Sequence, residues 1–195
     1  MSRMRYEILH LATRIGNFAR DLRGSATLEF LIVLPMLIWS MLAISLFFDA
    51  FRARSTNLKA AYTISDLISR ENPFVGPDYI AGLNTMYTFL SASNNPTWIR
   101  VSVVQFDTED PQIDTDGVLI LKWSHGTNGQ PDLTDATLSD IASKIPVMGH
   151  GDSLILVETH MKYRALAKIN FNGASFDNFI ATRPRFTPPK WDEAY

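Results

Sequence analysis

The longest apolar run in the chain begins at Leu28 and ends at Phe48, and only Glu29 within it is charged. As a helix it is roughly 30 Å long, about the thickness of a bilayer's hydrocarbon core. The run is therefore read as membrane-spanning, with two costly features to explain: a carboxylate near its start and Pro35 near its middle. After Asp49 the pattern turns polar but keeps its helical period. Leu58, Ala61, Tyr62, Ser65 and Ile68 can share a face, so the helix is expected to continue to Arg70 and to end before Asn72-Pro73. Upstream, Ile8, Leu11, Ala12, Ile15, Phe18, Ala19 and Leu22 recur at helical spacing among Arg14, Arg20 and Asp21. They read as a short amphipathic helix on the inner leaflet or as an ordinary basic flank.

Beyond the long helix, a second is expected from Pro77 to Ala92, with Ile80, Leu83, Tyr87 and Leu90 on one face, followed by a turn at Asn94-Asn95-Pro96. Trp98 to Phe106 and Val118 to Trp123 are rich in aromatic and β-branched residues and read as neighbouring antiparallel strands around an acidic loop. Thr134 to Ile145 reads as a helix started by Asp132 or Thr134 and stopped by Pro146. Ser153 to Tyr163 is the clearest strand, Ala167 to Phe171 a weaker one, and Arg183 to Pro189 an extended tail. The fold class is α+β: a long N-terminal transmembrane helix continuing into a small exported domain with an antiparallel sheet. One face of that sheet must pack on the exported part of the helix, because a small sheet has nowhere else to bury its apolar side. The expected divisions are a basic leader (1–24), the transmembrane helix and its continuation (25–70), the α+β domain (71–182) and a Pro/aromatic tail (183–195).

Charge orients this scheme. Residues 1–24 carry five arginines against Glu7 and Asp21, net +3, whereas residues 49–195 carry 13 basic and 17 acidic residues, net −4. An arginine-rich flank predicts a cytoplasmic N-terminus and an exported C-terminal domain, although Arg52, Arg54 and Lys59 on the far side oppose it. A domain without a basic surface is a poor partner for nucleic acid. The absence of cysteine excludes disulfides and thiolate chemistry.

Three fates are open to the apolar segment. Ala43-Ile44-Ser45 tolerably matches a secretory cleavage site, but the run exceeds the apolar length of a signal peptide. An uncleaved anchor needs neither Gly24 nor Glu29. Cleavage on the cytoplasmic side would remove the leader and keep the helix. On this point Gly24-Ser25-Ala26-Thr27-Leu28-Glu29-Phe30, followed by Leu31-Ile32-Val33-Leu34-Pro35, resembles the N-terminal segment of the TadE-like family, pseudopilins or minor pilins of the tight-adherence (Flp-type) pilus system. Ala60-Ala61 through Ser65-Asp66-Leu67-Ile68 resembles the stretch that follows the span in that family.

The resemblance implies a single-pass inner-membrane protein with a periplasmic, pilin-like domain. A prepilin peptidase would cut it between Gly24 and Ser25, leaving Glu29 as the fifth mature residue. Its implied partners are that peptidase, other pilins or pseudopilins and the inner-membrane assembly platform. An isolated carboxylate in lipid needs a partner, and the new Ser25 amine of a neighbouring subunit could supply one. Pairing would favour assembly in register, because a misplaced subunit leaves a charge unpaired. The bland reading places Glu29 at the interface, favoured by the positive end of the helix dipole. Pro35 either eases extraction and filament packing or simply kinks an anchor.

Other candidates are weaker. Asp107, Glu109, Asp110, Asp114 and Asp116 gather carboxylates that could bind calcium, but Pro111 interrupts them and no calcium-hand spacing is present, so a solvated acidic turn is the better reading. His10, His125, His150 and His160 are scattered without zinc spacing, and Glu158, His160 and Lys162 are expected to face water together. No nucleophile elbow surrounds Ser153. Neither metal nor cofactor is expected, and no enzymatic activity. Trp98, Trp123 and Trp191 read as packing or interface residues, and Phe186, Trp191 and Tyr195 as tail aromatics that dock on another subunit or remain disordered. The leading function is structural, that of a minor pilin or assembly factor. The alternatives are an uncleaved anchored binding or adhesion module and an anchored hydrolase.

Overall fold

The computed structural model describes residues 25–108, 117–163 and 174–194. The leader, Glu109 to Asp116, the expected strand Ala167 to Phe171 and Tyr195 lie outside them. The chain divides into two compact units, residues 1–47 and 48–195, and helix α1 (Ser25–Ser69) contributes to both as one 45-residue element with Pro35 inside it.

In the first unit, every described side chain from Thr27 to Phe47 is exposed except the half-buried Leu46. In the second, α1 becomes one-sided. Asn57, Ala60, Ala61, Ile64, Ser65 and Ile68 are buried, a stripe at three- and four-residue spacing. The face lies beside the one expected from hydrophobicity: Leu58 and Tyr62 are exposed, while Asn57 and Ala60 point inward. Asn57 finds buried partners, so packing rather than side-chain apolarity selects the face.

A short strand β1 (Phe74–Val75) leads to α2 (Pro77–Leu90), which starts with proline at its first position, where no amide bond is lost. Strands β2 (Thr97–Asp107), β3 (Val118–Gly126), β4 (Ser153–Lys162) and β5 (Ser175–Thr182) form an antiparallel sheet in the order β3-β2-β4-β5. Helix α3 (Asp135–Ile141) follows the hairpin. Thr134 and Thr137 close a capping box at its start, and a 3₁₀ turn at Ala142–Lys144 replaces the last turn expected from sequence.

The two faces of the sheet have different partners. Ile99, Val101, Val103, Ile155, Val157, Met161 and Ile180 meet α1 and α2 in the main core. On the reverse face Val104, Leu154 and Leu156 meet Leu138 and Ile141 of α3 together with Leu133 and Met148. Each fully buried aliphatic side chain contributes roughly 1.5–3 kcal/mol. A bulge between Val103 and Val104 inserts Lys122 into β3. The extra residue puts Leu119 and Leu121 on the reverse face and turns Trp123 toward the main core.

The tail returns to its own chain. Strand β6 (Lys190–Trp191) pairs in parallel with β1, and the Arg185 amide donates to the Ser69 carbonyl. Trp191 packs on Trp123 and His125, and the Trp123 indole donates to the Pro189 carbonyl at 2.8 Å. The expected extended stretch from Arg183 to Pro189 bends at Arg185–Thr187 and only Lys190–Trp191 beyond it forms a strand; Trp191 docks within the domain, while Phe186 stays exposed. Asp66 accepts from Arg70 at 3.0 Å and from Arg185 at 2.6 Å. The hydrogen bond from Arg70 holds its carboxyl below the ordinary value against the opposing effect of burial, and that from Arg185 adds a smaller lowering. A folded-state pKa below the unfolded one stabilises above the ordinary carboxylate range and loses that stabilisation as pH falls through the folded value. Protection of the Arg185 and Lys190 amides from hydrogen exchange, relative to their intrinsic rates, should therefore weaken below about pH 4. Asp66→Asn should give fast exchange already at neutral pH, and an unchanged profile in that variant would remove Asp66 from the tail's anchorage.

Candidate functional site

Glu29 stands in the first unit on the exposed surface of α1, with no acidic residue in the helix's first turn. Phe30 beside it is 62% exposed, and Pro35 follows without ending the helix. Thr27–Ser69 contains a stretch long and apolar enough to cross a membrane, none of it buried within the protein. Gly24 lies outside the described residues, and Ser25 is described only as the first residue of α1.

Of the five acidic-loop candidates, only Asp107 is described. It ends β2, exposed, 3.2 Å from His150 Nδ1, which accepts from the Thr108 amide. Glu109, Asp110, Asp114 and Asp116 lie outside. Among the described residues no three His, Asp or Glu side chains are placed to hold a metal ion together.

The reverse face of the sheet brings together groups that the sequence leaves separate. Trp98 and His160 occupy paired positions on β2 and β4 and stack 5.3 Å apart with 7° between their planes. Asp177 on β5 bonds His160 Nδ1 at 2.5 Å, and Ser175 donates to the other carboxylate oxygen. The serine thus shares the aspartate with the imidazole instead of facing it. Next along the face, Arg100 binds Glu158 at 2.6 Å and the Pro131 carbonyl at 3.1 Å. Of the three side chains expected to face water, only Lys162 is fully exposed, because cross-strand neighbours half-cover Glu158 and His160.

Inside the main core, Asn57 of α1 donates to the Tyr87 hydroxyl at 2.6 Å and accepts from Asn178, which also donates to Thr159. Burial raises the Tyr87 pKa, while its hydrogen bonds with Thr159 and Asn57 oppose the rise. An asparagine inside a helical stripe of otherwise small or apolar residues was the available sequence signal for this network.

A cleft of about 270 Å³ opens between α1, the α2–β2 turn and the end of β4, with Asp49, Arg52, Thr56, Asn94, Lys162 and Tyr163 among its lining residues. Its walls are braced. Ala92 adopts φ 51° and turns the chain after α2, Asn95 donates to the Lys162 carbonyl at 3.1 Å, and Tyr163 donates to Asp49 at 2.7 Å. Loss of solvent contact and the bond to an anionic acceptor push the Tyr163 pKa up to about 12, so the phenol remains a donor at neutral pH. Three separated segments build this cleft, and no motif spacing announces it.

No protein-family model, curated protein or solved structure matches this chain.

Proposed function

We propose that the chain is a non-enzymatic minor pilin or pilus assembly protein of a tight-adherence, type IV-related pilus. A prepilin peptidase removes the leader after Gly24, and the apolar helix holds the mature protein in the inner membrane with its α+β domain in the periplasm. That helix then packs against those of other pilins or pseudopilins at the assembly platform. The observation that carries the reading is the division of labour within α1: the side chains from Thr27 to Ser45 are exposed, whereas those from Asn57 to Ser69 supply one wall of a folded domain. An exposed apolar surface of that length calls for lipid or other apolar helices, and Glu29 as its only charge calls for a charged partner.

A second reading, an uncleaved anchored binding or adhesion module, draws support from the braced polar cleft beside α1. Intact mass and N-terminal sequence of the membrane-extracted protein, from cells with the cognate peptidase, separate the two. The expected mature chain starts at Ser25, and replacing Gly24 by a bulky residue leaves the leader attached. Retention of residues 1–24 in the wild type favours the anchored module, while a start at Leu46 means secretion and overturns both.

A further inference from the structure

Two opposite charges face the cleft between α1 and the end of β4 without pairing. Asp49 and Arg52 stand three residues apart on α1, a spacing at which acid and base usually join. Here Tyr163 holds one Asp49 oxygen at 2.7 Å, and the other oxygen makes no bond among the described residues. The Arg52 guanidinium likewise has no hydrogen-bond or ion-pair partner among them. Lys162 adds no charge, because strand alternation sends its side chain to the reverse face with that of His160. Only its carbonyl, bonded by Asn95 at 3.1 Å, borders the cleft. One anion and one cation thus face a braced space of about 270 Å³ whose other lining groups are neutral.

A ligand of one sign attracts one of these groups and repels the other, whereas a ligand carrying both signs satisfies both. Position supplies the rest. Asp49 is the first charged residue after the apolar run, and Phe48 and Phe51, each about 70% exposed, flank it. Exposed aromatic side chains at the end of such a run mark the level where polar headgroups begin if α1 spans a bilayer. Helical side chains lean toward the helix N-terminus, which carries the Arg52 stem back toward the level of Asp49. We infer that the cleft binds the zwitterionic headgroup of phosphatidylethanolamine, its phosphodiester on the Arg52 guanidinium and its primary ammonium on the free Asp49 oxygen. Phosphatidylglycerol offers the carboxylate no cation. Phosphatidylcholine offers one without N–H groups, which cannot donate to it. The inference rests on the membrane-anchor part of the proposed function and is independent of leader processing.

The test is native mass spectrometry of the full chain from mixed micelles containing equal amounts of short-chain phosphatidylethanolamine, phosphatidylcholine and phosphatidylglycerol. Wild type is expected to retain one phosphatidylethanolamine about tenfold over either competitor, the effect of one hydrogen bond between charged groups. Asp49→Asn should remove that preference, since its amide oxygen still accepts from Tyr163 but offers the ammonium no charge. Arg52→Gln should lower retention of all three lipids by a similar factor, because each carries the phosphodiester. The Arg52 side chain is exposed, so an unchanged melting temperature should accompany that loss. Wild type that shows no preference, or prefers either competitor, overturns the inference. So does a preference that survives Asp49→Asn, or undiminished retention in Arg52→Gln. Displacement of the lipid by an equal concentration of glycerophosphoethanolamine also overturns it, by identifying a soluble zwitterion as the ligand. Flotation with phosphatidylcholine vesicles tests the anchor separately, and neither substitution should change it. Absent flotation with Asp49-dependent phosphatidylethanolamine retention intact would sink the anchor and support the headgroup site.

Discussion

Tyr87→Ala is expected to destabilise the domain by about 5 kcal/mol, most of the stability of an ordinary domain. The ring is fully buried where α2 meets α1 and the sheet, and removing such an aromatic costs about 3–5 kcal/mol in lost transfer energy and residual cavity. The substitution also leaves the Asn57 amide, itself fully buried, without its acceptor, adding about 1–3 kcal/mol. Tyr87→Phe separates the contributions: it keeps the packing and should cost only the lost hydroxyl bonds with Asn57 and Thr159. Asn57→Leu/Tyr87→Phe should recover part of that loss, because both ends of the bond then become apolar, and Asn178 still donates to Thr159. Urea unfolding of the full chain in mild detergent provides the comparison. A loss below about 2 kcal/mol for Tyr87→Ala would mean that the site collapses around the missing ring.

The second large effect concerns the ion pair on the reverse face. The Arg100 and Glu158 side chains are only 12% and 16% exposed and meet at 2.6 Å, with Arg100 also bonded to the Pro131 carbonyl. Arg100→Met should cost about 3 kcal/mol, chiefly because it strands the Glu158 carboxylate away from water. Arg100→Met/Glu158→Leu should lie within about 1 kcal/mol of wild type, since desolvation offsets most of what a buried pair gains. A double variant as unstable as the single one would place the cost in lost packing of the arginine stem, not in the stranded charge.

The helices and the three strands bordering the acidic loop and centring on Leu154–Val157 could be read along the chain because their periodicity is local. Strand β5 could not. It carries Asp177 and Asn178 among its apolar residues, and Asn178 occupies an inner-face position that is comprehensible only once Asn57 and Thr159 are beside it. The tail's partner was hidden for a related reason: β1 and β6 are two residues each, too short for a pattern. The bulge at Lys122 reverses the facing of Trp123, a change that the apolar run Val118–Leu121 before it does not announce. On the site side, Glu29 and Pro35 were legible as exceptions within an apolar run. Asp49, Arg52, Lys162 and Tyr163 were ordinary polar residues until the fold gathered them around one cleft.

The chain contains four tryptophans, and the fold gives each a different optical environment. Trp39 lies exposed on the apolar run, Trp98 lies flat against His160, and Trp123 and Trp191 face one another at 5.3 Å. Two indoles at that separation couple their electronic transitions, so the pair reports tail docking through near-ultraviolet dichroism. Trp98, stacked on an imidazole, reports the reverse face, and Trp39 reports the polarity around the apolar helix. Variants that retain single tryptophans, with the Trp123–Trp191 pair kept together for the tail, turn three parts of one polypeptide into separate spectroscopic channels without an added label.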